Sequence, residues 1–170
     1  MVNRTLSVFW APVLIVMFCL MTRSANATNL MVEQDPEIAI ALGTADVFDS
    51  SKYAGFGVEY RHSAFWKRLR PIVGYSITRE HDQYVYMGVR YFFVLNDEWL
   101  FNPTFAVGLF DSGNGIKLGG SVEFRSGLEF SYRVSDSVRL GIGLAHLSNS
   151  SIYKSNPGTE TVEFSLAITL

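Results

Sequence analysis

The sequence predicts an all-β fold: an eight-stranded antiparallel transmembrane β-barrel, preceded by a cleaved signal peptide. Three observations predict it. Beyond the N-terminal segment, eight stretches alternate with period 2, and each ends at a turn signal. Most are about 10 to 12 residues long, which suits a tilted strand that crosses a bilayer. One face of the alternation is large and apolar. The other carries charges among glycine, serine, threonine and alanine, as a barrel with a lipid-facing exterior requires.

The N-terminal segment reads as a signal peptide over 1–27. Arg4 supplies the positive charge, Leu6 to Met21 the short apolar core, and Ala25-Asn26-Ala27 the small-x-small cleavage site. The core is too short and wrongly flanked for a spanning helix. Residues 28–170 then form one outer-membrane barrel domain. Cys19 is the one cysteine and lies in the signal segment, so thiolate and disulfide chemistry are excluded from the mature part.

The strands follow in order. Pro36–Asp46 opens the barrel and Tyr53–His62 follows, with Phe56, Val58 and Tyr60 on one face. In Leu69–Arg79 that face carries Val73, Tyr75 and Ile77, and in Gln83–Phe93 it carries Val85, Met87, Val89 and Tyr91. Trp99–Phe110 contributes Phe101, Phe105, Val107 and Leu109, and Gly119–Tyr132 contributes Val122, Phe124, Leu128 and Phe130. Val138–Ser148 and Glu160–Leu170 form the last hairpin. The opposite face carries Glu59, Arg61, Arg90, Glu123, Arg125, Glu129, Arg139 and Glu163. In a soluble barrel these charges would face water and the apolar face would be the core. Aromatic residues at strand ends (Trp66, Trp99, Tyr91, Tyr132) favour the membrane version, in which they form interfacial girdles and the charges pair inside. Eight strands leave an interior that side chains can fill, which argues against a wide pore.

With both termini periplasmic, the turns near Ala64–Arg68, Leu95–Glu98 and Val134–Ser137 face the periplasm. Phe48–Ser51, Glu80–Asp82, Asp111–Lys117 and Asn149–Thr159 become extracellular loops. Removing Arg4 and Arg23 from the 14 basic residues leaves 12 against 16 acidic ones, a balance that argues against nucleic acid.

The last hairpin carries the chemistry. Counting in twos from Val138, Leu140, Ile142 and Leu144 places His146 and Ser148 on the lipid-facing side. Counting back from Val162 places Glu160 there too. Residues i and i+2 of a strand have Cα atoms roughly 6.5 to 7 Å apart, so His146 and Ser148 can approach each other. Serine needs such a base to become nucleophilic, and the imidazole needs a carboxylate to hold its tautomer, for which Glu160 is placed. A carboxylate facing outward at the membrane boundary is costly without a partner. The three could instead mark only the boundary where strands leave the bilayer, but their convergence on one face of one hairpin favours catalysis. His62 and His81 are far from His146 in this topology, which argues against a histidine metal site. No phosphate-binding motif opens a helix.

The hairpin also resembles a family. His146-Leu147-Ser148-Asn149, then Asn156-Pro157-Gly158 and Glu160, is similar to the active-site signature of the lipid A 3-O-deacylases of the PagL type. The resemblance implies an eight-stranded outer-membrane esterase with Ser148 as nucleophile, His146 as general base and Glu160 as orienting acid. Asn156 would help stabilise the oxyanion. Asn149 matches the asparagine after the nucleophile, where a turn-forming role is the simpler one. Ser150-Ser151 stands where a glycine is expected in that family, and Leu170 where such barrels often end in phenylalanine. The expected substrate is lipid A of lipopolysaccharide in the outer membrane, with no metal or organic cofactor. Lys117 and Lys154, in outer loops, are candidates to meet lipid A phosphates. Homo-oligomerisation is left open.

Two other classes fit part of the sequence. A non-catalytic eight-stranded barrel for adhesion or envelope integrity would project longer extracellular loops. A membrane acyltransferase would need an acyl-binding interior, which inward-facing Glu59, Arg90 and Glu129 oppose.

Overall fold

The computed structural model describes residues 35–49 and 51–170, and the expected signal peptide at 1–27 lies outside them. The strands are β1 (Glu37–Ala45), β2 (Tyr53–Arg61), β3 (Leu69–Thr78), β4 (Gln83–Tyr91), a two-residue β5 (Phe93–Val94), β6 (Trp99–Asp111), β7 (Val122–Ser135), β8 (Val138–Ser148) and β9 (Thr159–Thr169). All pairings are antiparallel. Each long strand pairs with its neighbours in the chain, β1 pairs with β9, and β4 pairs with β6, so the eight long strands form a closed barrel. Closure satisfies the backbone without leaving an edge, which is what allows a sheet to cross a membrane.

Most strand ends fall within a residue of the sequence reading, and the larger differences are in β7 and in the 83–93 segment. β7 begins at Val122, not Gly119, because Gly119 takes a positive φ of 86° that ends the extended run. It continues to Ser135 through an irregularity at Arg133/Ser135, so only Asp136 and Ser137 separate β7 from β8. The expected strand 83–93 is interrupted at Phe92, and Phe93–Val94 pairs separately with Phe101 and Leu100.

The faces are as the alternation predicts. Leu42, Phe56, Val73, Met87, Phe105, Phe130, Ile142 and Phe164 are exposed around the outside. Trp99 packs against Tyr132 with ring centres 5.1 Å apart, at one end of the barrel.

The lumen is filled by an ion-pair network. Glu59 Oε1 accepts from Arg61 at 2.8 Å and from Arg90 at 3.1 Å. Glu129 accepts from Arg61 at 3.0 Å and Arg90 at 2.9 Å. Glu37 pairs with Arg70 at 3.1 Å and with Arg139, and Arg125 pairs with Glu163 at 2.8 Å. Glu37 and Arg70, absent from the sequence-derived inner set, are thus part of it. Glu123 is not. Grouped with Arg125 and Glu129 on sequence, it is fully buried two residues before Arg125 on β7, and its carboxylate oxygens have no hydrogen-bond partner among the described residues.

Above the network, the loop after β6 folds back into the barrel mouth. The buried Asp82 accepts the backbone N–H groups of Gly113, Gly115 and Ile116 at 2.9, 3.2 and 3.2 Å, and the Thr78 hydroxyl at 2.8 Å. This pins Ile116 and Leu118 against Tyr84, Phe110 and Leu147, an apolar plug where the sequence suggested only an exposed loop.

Candidate active site

The site sits at the end of the β8–β9 hairpin on the outer surface. In the ladder, His146 lies directly opposite Glu160, with Leu147 opposite Thr159 as the last pair. The His146 Nδ1 is 3.0 Å from Glu160 Oε1, and both side chains are partly exposed. Ser148 is the last residue of β8, two beyond His146 and on the same face. On the opposite side of β8, Phe124 faces Ser148 and Ser126 faces His146. The three residues that the sequence placed on the lipid face are therefore gathered on one patch, next to the apolar band.

The contact defines the imidazole's protonation pattern. A carboxylate accepts hydrogen bonds, so Nδ1 carries the proton and donates it to Glu160. In the neutral ring this tautomer puts the lone pair on Nε2, which is the form a general base needs.

The loop of 149–158 frames the patch. Asn149 is fully buried, and its side-chain amide donates to the carbonyls of Leu118 at 2.8 Å and Ser155 at 2.9 Å. Its Oδ1 accepts from Ser151 N–H at 3.0 Å. Asn149 therefore binds the β6–β7 loop to the β8–β9 loop. The Asn149 backbone N–H donates to Asn156 Oδ1 at 2.9 Å, which holds the exposed Asn156 beside the residue that follows Ser148. Lys117 donates to the Gly113 carbonyl at 2.7 Å within its own loop, and Lys154 is exposed.

Gly158 is a residue whose role sequence reasoning did not assign. It has φ of 72°, and a Cβ there would lie 2.9 Å from His146 Cε1 and 3.2 Å from the Leu147 carbonyl oxygen. Only glycine meets both conditions, so the chain can turn into β9 directly against the imidazole. Ser150 and Ser151 also adopt positive φ, 50° and 63°, at the place where the family pattern suggested a glycine.

The sequence matches the lipid A 3-O-deacylase (PagL) family over residues 47–169. It belongs to that family. Family membership makes it an ester hydrolase of the bacterial outer membrane that acts on lipid A. No curated protein matches the chain in sequence. Among solved structures, the fold is similar to that of the outer membrane enzyme PagL, with 18% identity and a TM-score of 0.62, over 79% of this chain and 99% of that one. It is equally similar to a de novo designed transmembrane β-barrel, with 12% identity and a TM-score of 0.62, over 81% and 96%. Neisserial surface protein A follows with 14% identity and a TM-score of 0.54, over 79% and 96%. At these identities the structural likenesses speak for the barrel alone. The family match carries the chemistry, and the lipid A 3-O-deacylase family is where the hairpin's resemblance pointed.

Proposed function

We propose that this chain removes the ester-linked 3-hydroxyacyl group at position 3 of lipid A, using Ser148, His146 and Glu160 as a triad on the lipid-facing surface at outer-leaflet level. The observation that carries this reading is the 3.0 Å contact between His146 and Glu160, with Ser148 next on the same outward face. A base and nucleophile turned toward lipid suit a substrate that is itself a membrane lipid.

Ser148 Oγ attacks the acyl carbonyl while His146 Nε2 takes its proton, and Glu160 stabilises the resulting imidazolium. The oxyanion is stabilised by donors already oriented before reaction. Asn156 suits this role, because its Oδ1 is held by Asn149 and its Nδ2 protons remain as donors. Collapse of the tetrahedral intermediate expels the sugar 3-oxygen, which takes the proton from His146. Water then attacks the acyl-serine, giving its proton to His146, and the 3-hydroxy fatty acid leaves as Ser148 is regenerated. No step calls for a metal or organic cofactor.

Mass spectrometry of lipid A from cells expressing the chain tests the reading. Loss of one 3-hydroxyacyl chain is expected with the wild type and not with Ser148→Ala. Unchanged lipid A in wild-type cells, or equal deacylation by an inserted Ser148→Ala barrel, would refute it.

A further inference from the structure

Glu160 stands near a strand end, and strand ends open most readily. On one side it has β8. On the other, the β1–β9 ladder stops at Ala45 opposite Thr161, one residue short of Glu160. What continues beyond β1 is Asp46, and it takes a left-handed conformation with φ of 61°. That turn has two consequences. The N–H of Val47 donates to the Glu160 carbonyl at 3.3 Å, and Asp46 Oδ1 accepts the hydroxyl of the nearly fully buried Thr159 at 3.2 Å. Without this acceptor, the Thr159 hydroxyl would be left without its bond in the barrel wall, at a cost that loosens the strand start.

We infer that Asp46 is a positioning residue for the deacylase reaction: through Thr159 and the Val47–Glu160 backbone bond it holds the first turnless residues of β9, and hence the Glu160 carboxylate, in line with His146. This rests on the triad reading above. Asp46 acts through another residue and touches no substrate. The titratable groups around it are Asp49 in its own loop and Glu160 on β9; burial first, then Asp49, raises its carboxyl above the ordinary range. A carboxyl so disposed works here as a hydrogen-bond acceptor in a left-handed turn. Asparagine, which offers the same acceptor and tolerates the same backbone, is its conservative replacement.

The test uses the full chain refolded in detergent, with lipopolysaccharide as substrate, and heat-modifiable electrophoresis to count folded barrels. Asp46→Ala and Thr159→Val are each expected to lower kcat on the order of tenfold with KM unchanged, a fraction of the roughly hundredfold that a full ångström of misplacement costs. Asp46→Asn is expected to restore kcat to within about twofold of wild type, since it keeps the acceptor. If Asp46→Ala does not fold, Thr159→Val alone carries the comparison. Wild-type kcat in a folded Asp46→Ala or Thr159→Val protein overturns the inference, as does an Asp46→Asn protein as impaired as Asp46→Ala. Ser148→Ala is measured alongside. If it remains active, the triad reading itself has failed; if it is inactive while Asp46→Ala is normal, only the present inference has.

Discussion

His146 and Glu160 are cross-strand partners in the β8–β9 ladder, and their side chains meet at 3.0 Å on the face that points to lipid. Strand pairing therefore sets the imidazole and the carboxylate together, and Ser148 follows two residues along the same strand; in the proposed triad these are the base, the orienting acid and the nucleophile.

An order of severity follows from that geometry. Ser148→Ala and His146→Ala are expected to lower kcat by about a thousandfold or more, since each removes a group that exchanges atoms or protons with the substrate. Glu160→Ala is expected to cost less than either, because the imidazole keeps its backbone position and loses its hydrogen-bonded orientation. Release of 3-hydroxy fatty acid by each folded variant measures this. A Glu160→Ala loss larger than that of Ser148→Ala would contradict the assigned roles.

Gly158 is expected to be sensitive to substitution. Gly158→Ala forces a side chain into a left-handed backbone, at a cost of about 1–2 kcal/mol, and presses a methyl group on His146. The barrel should still insert, with deacylation reduced roughly tenfold, the equivalent of about 1.4 kcal/mol. Activity per folded barrel at the wild-type level would show that the imidazole moves aside freely.

At Ser151 the same backbone argument has the opposite sign. Ser151→Gly relieves a left-handed serine and keeps the N–H that donates to Asn149 Oδ1. Stability is expected to rise by up to about 1 kcal/mol, less the entropy that glycine loses on folding, with deacylation unchanged. Urea unfolding of the refolded barrel reads the difference.

The lumen network predicts a separation of stability from catalysis. Glu129→Leu deprives Arg61 and Arg90 of one carboxylate each in a sealed interior, so a loss of about 3 kcal/mol is expected. The temperature at which the folded electrophoretic band disappears should fall, while activity per folded molecule remains. A thermally unaffected variant would mean that water reaches these arginines.

The same network, capped by the Ile116–Leu118 plug, occupies the lumen of an eight-stranded barrel, so negligible conductance is expected in planar bilayers. A large, stable conductance would contradict the filled lumen.

Strand-by-strand alternation was legible because it is local. Period 2 depends only on the chain's own pleat, so the eight strands, their outward and inward faces, and the shared face of His146, Ser148 and Glu160 could be read by counting. The motif His146-Leu147-Ser148-Asn149 added the family before any contact was known. Boundaries at Gly119 and Phe92 were missed because they depend on backbone turns and pairing that alternation does not report.

What counting could not reach is what closure creates. A loop of 149–158 does not set register, so the meeting of His146 with Glu160, in place of a neighbour one step away, was decided by the full β8–β9 ladder. Joining β1 to β9 brought Asp46 to Thr159 across 113 positions. It also drew Glu37 and Arg70 into the ion-pair network and left Glu123 outside it. The sequence by itself determined which side chains face lipid and which face the lumen, because that follows from the geometry of a single strand. Only the tertiary structure decided which of them touch, because contact across a barrel is set by register and closure together.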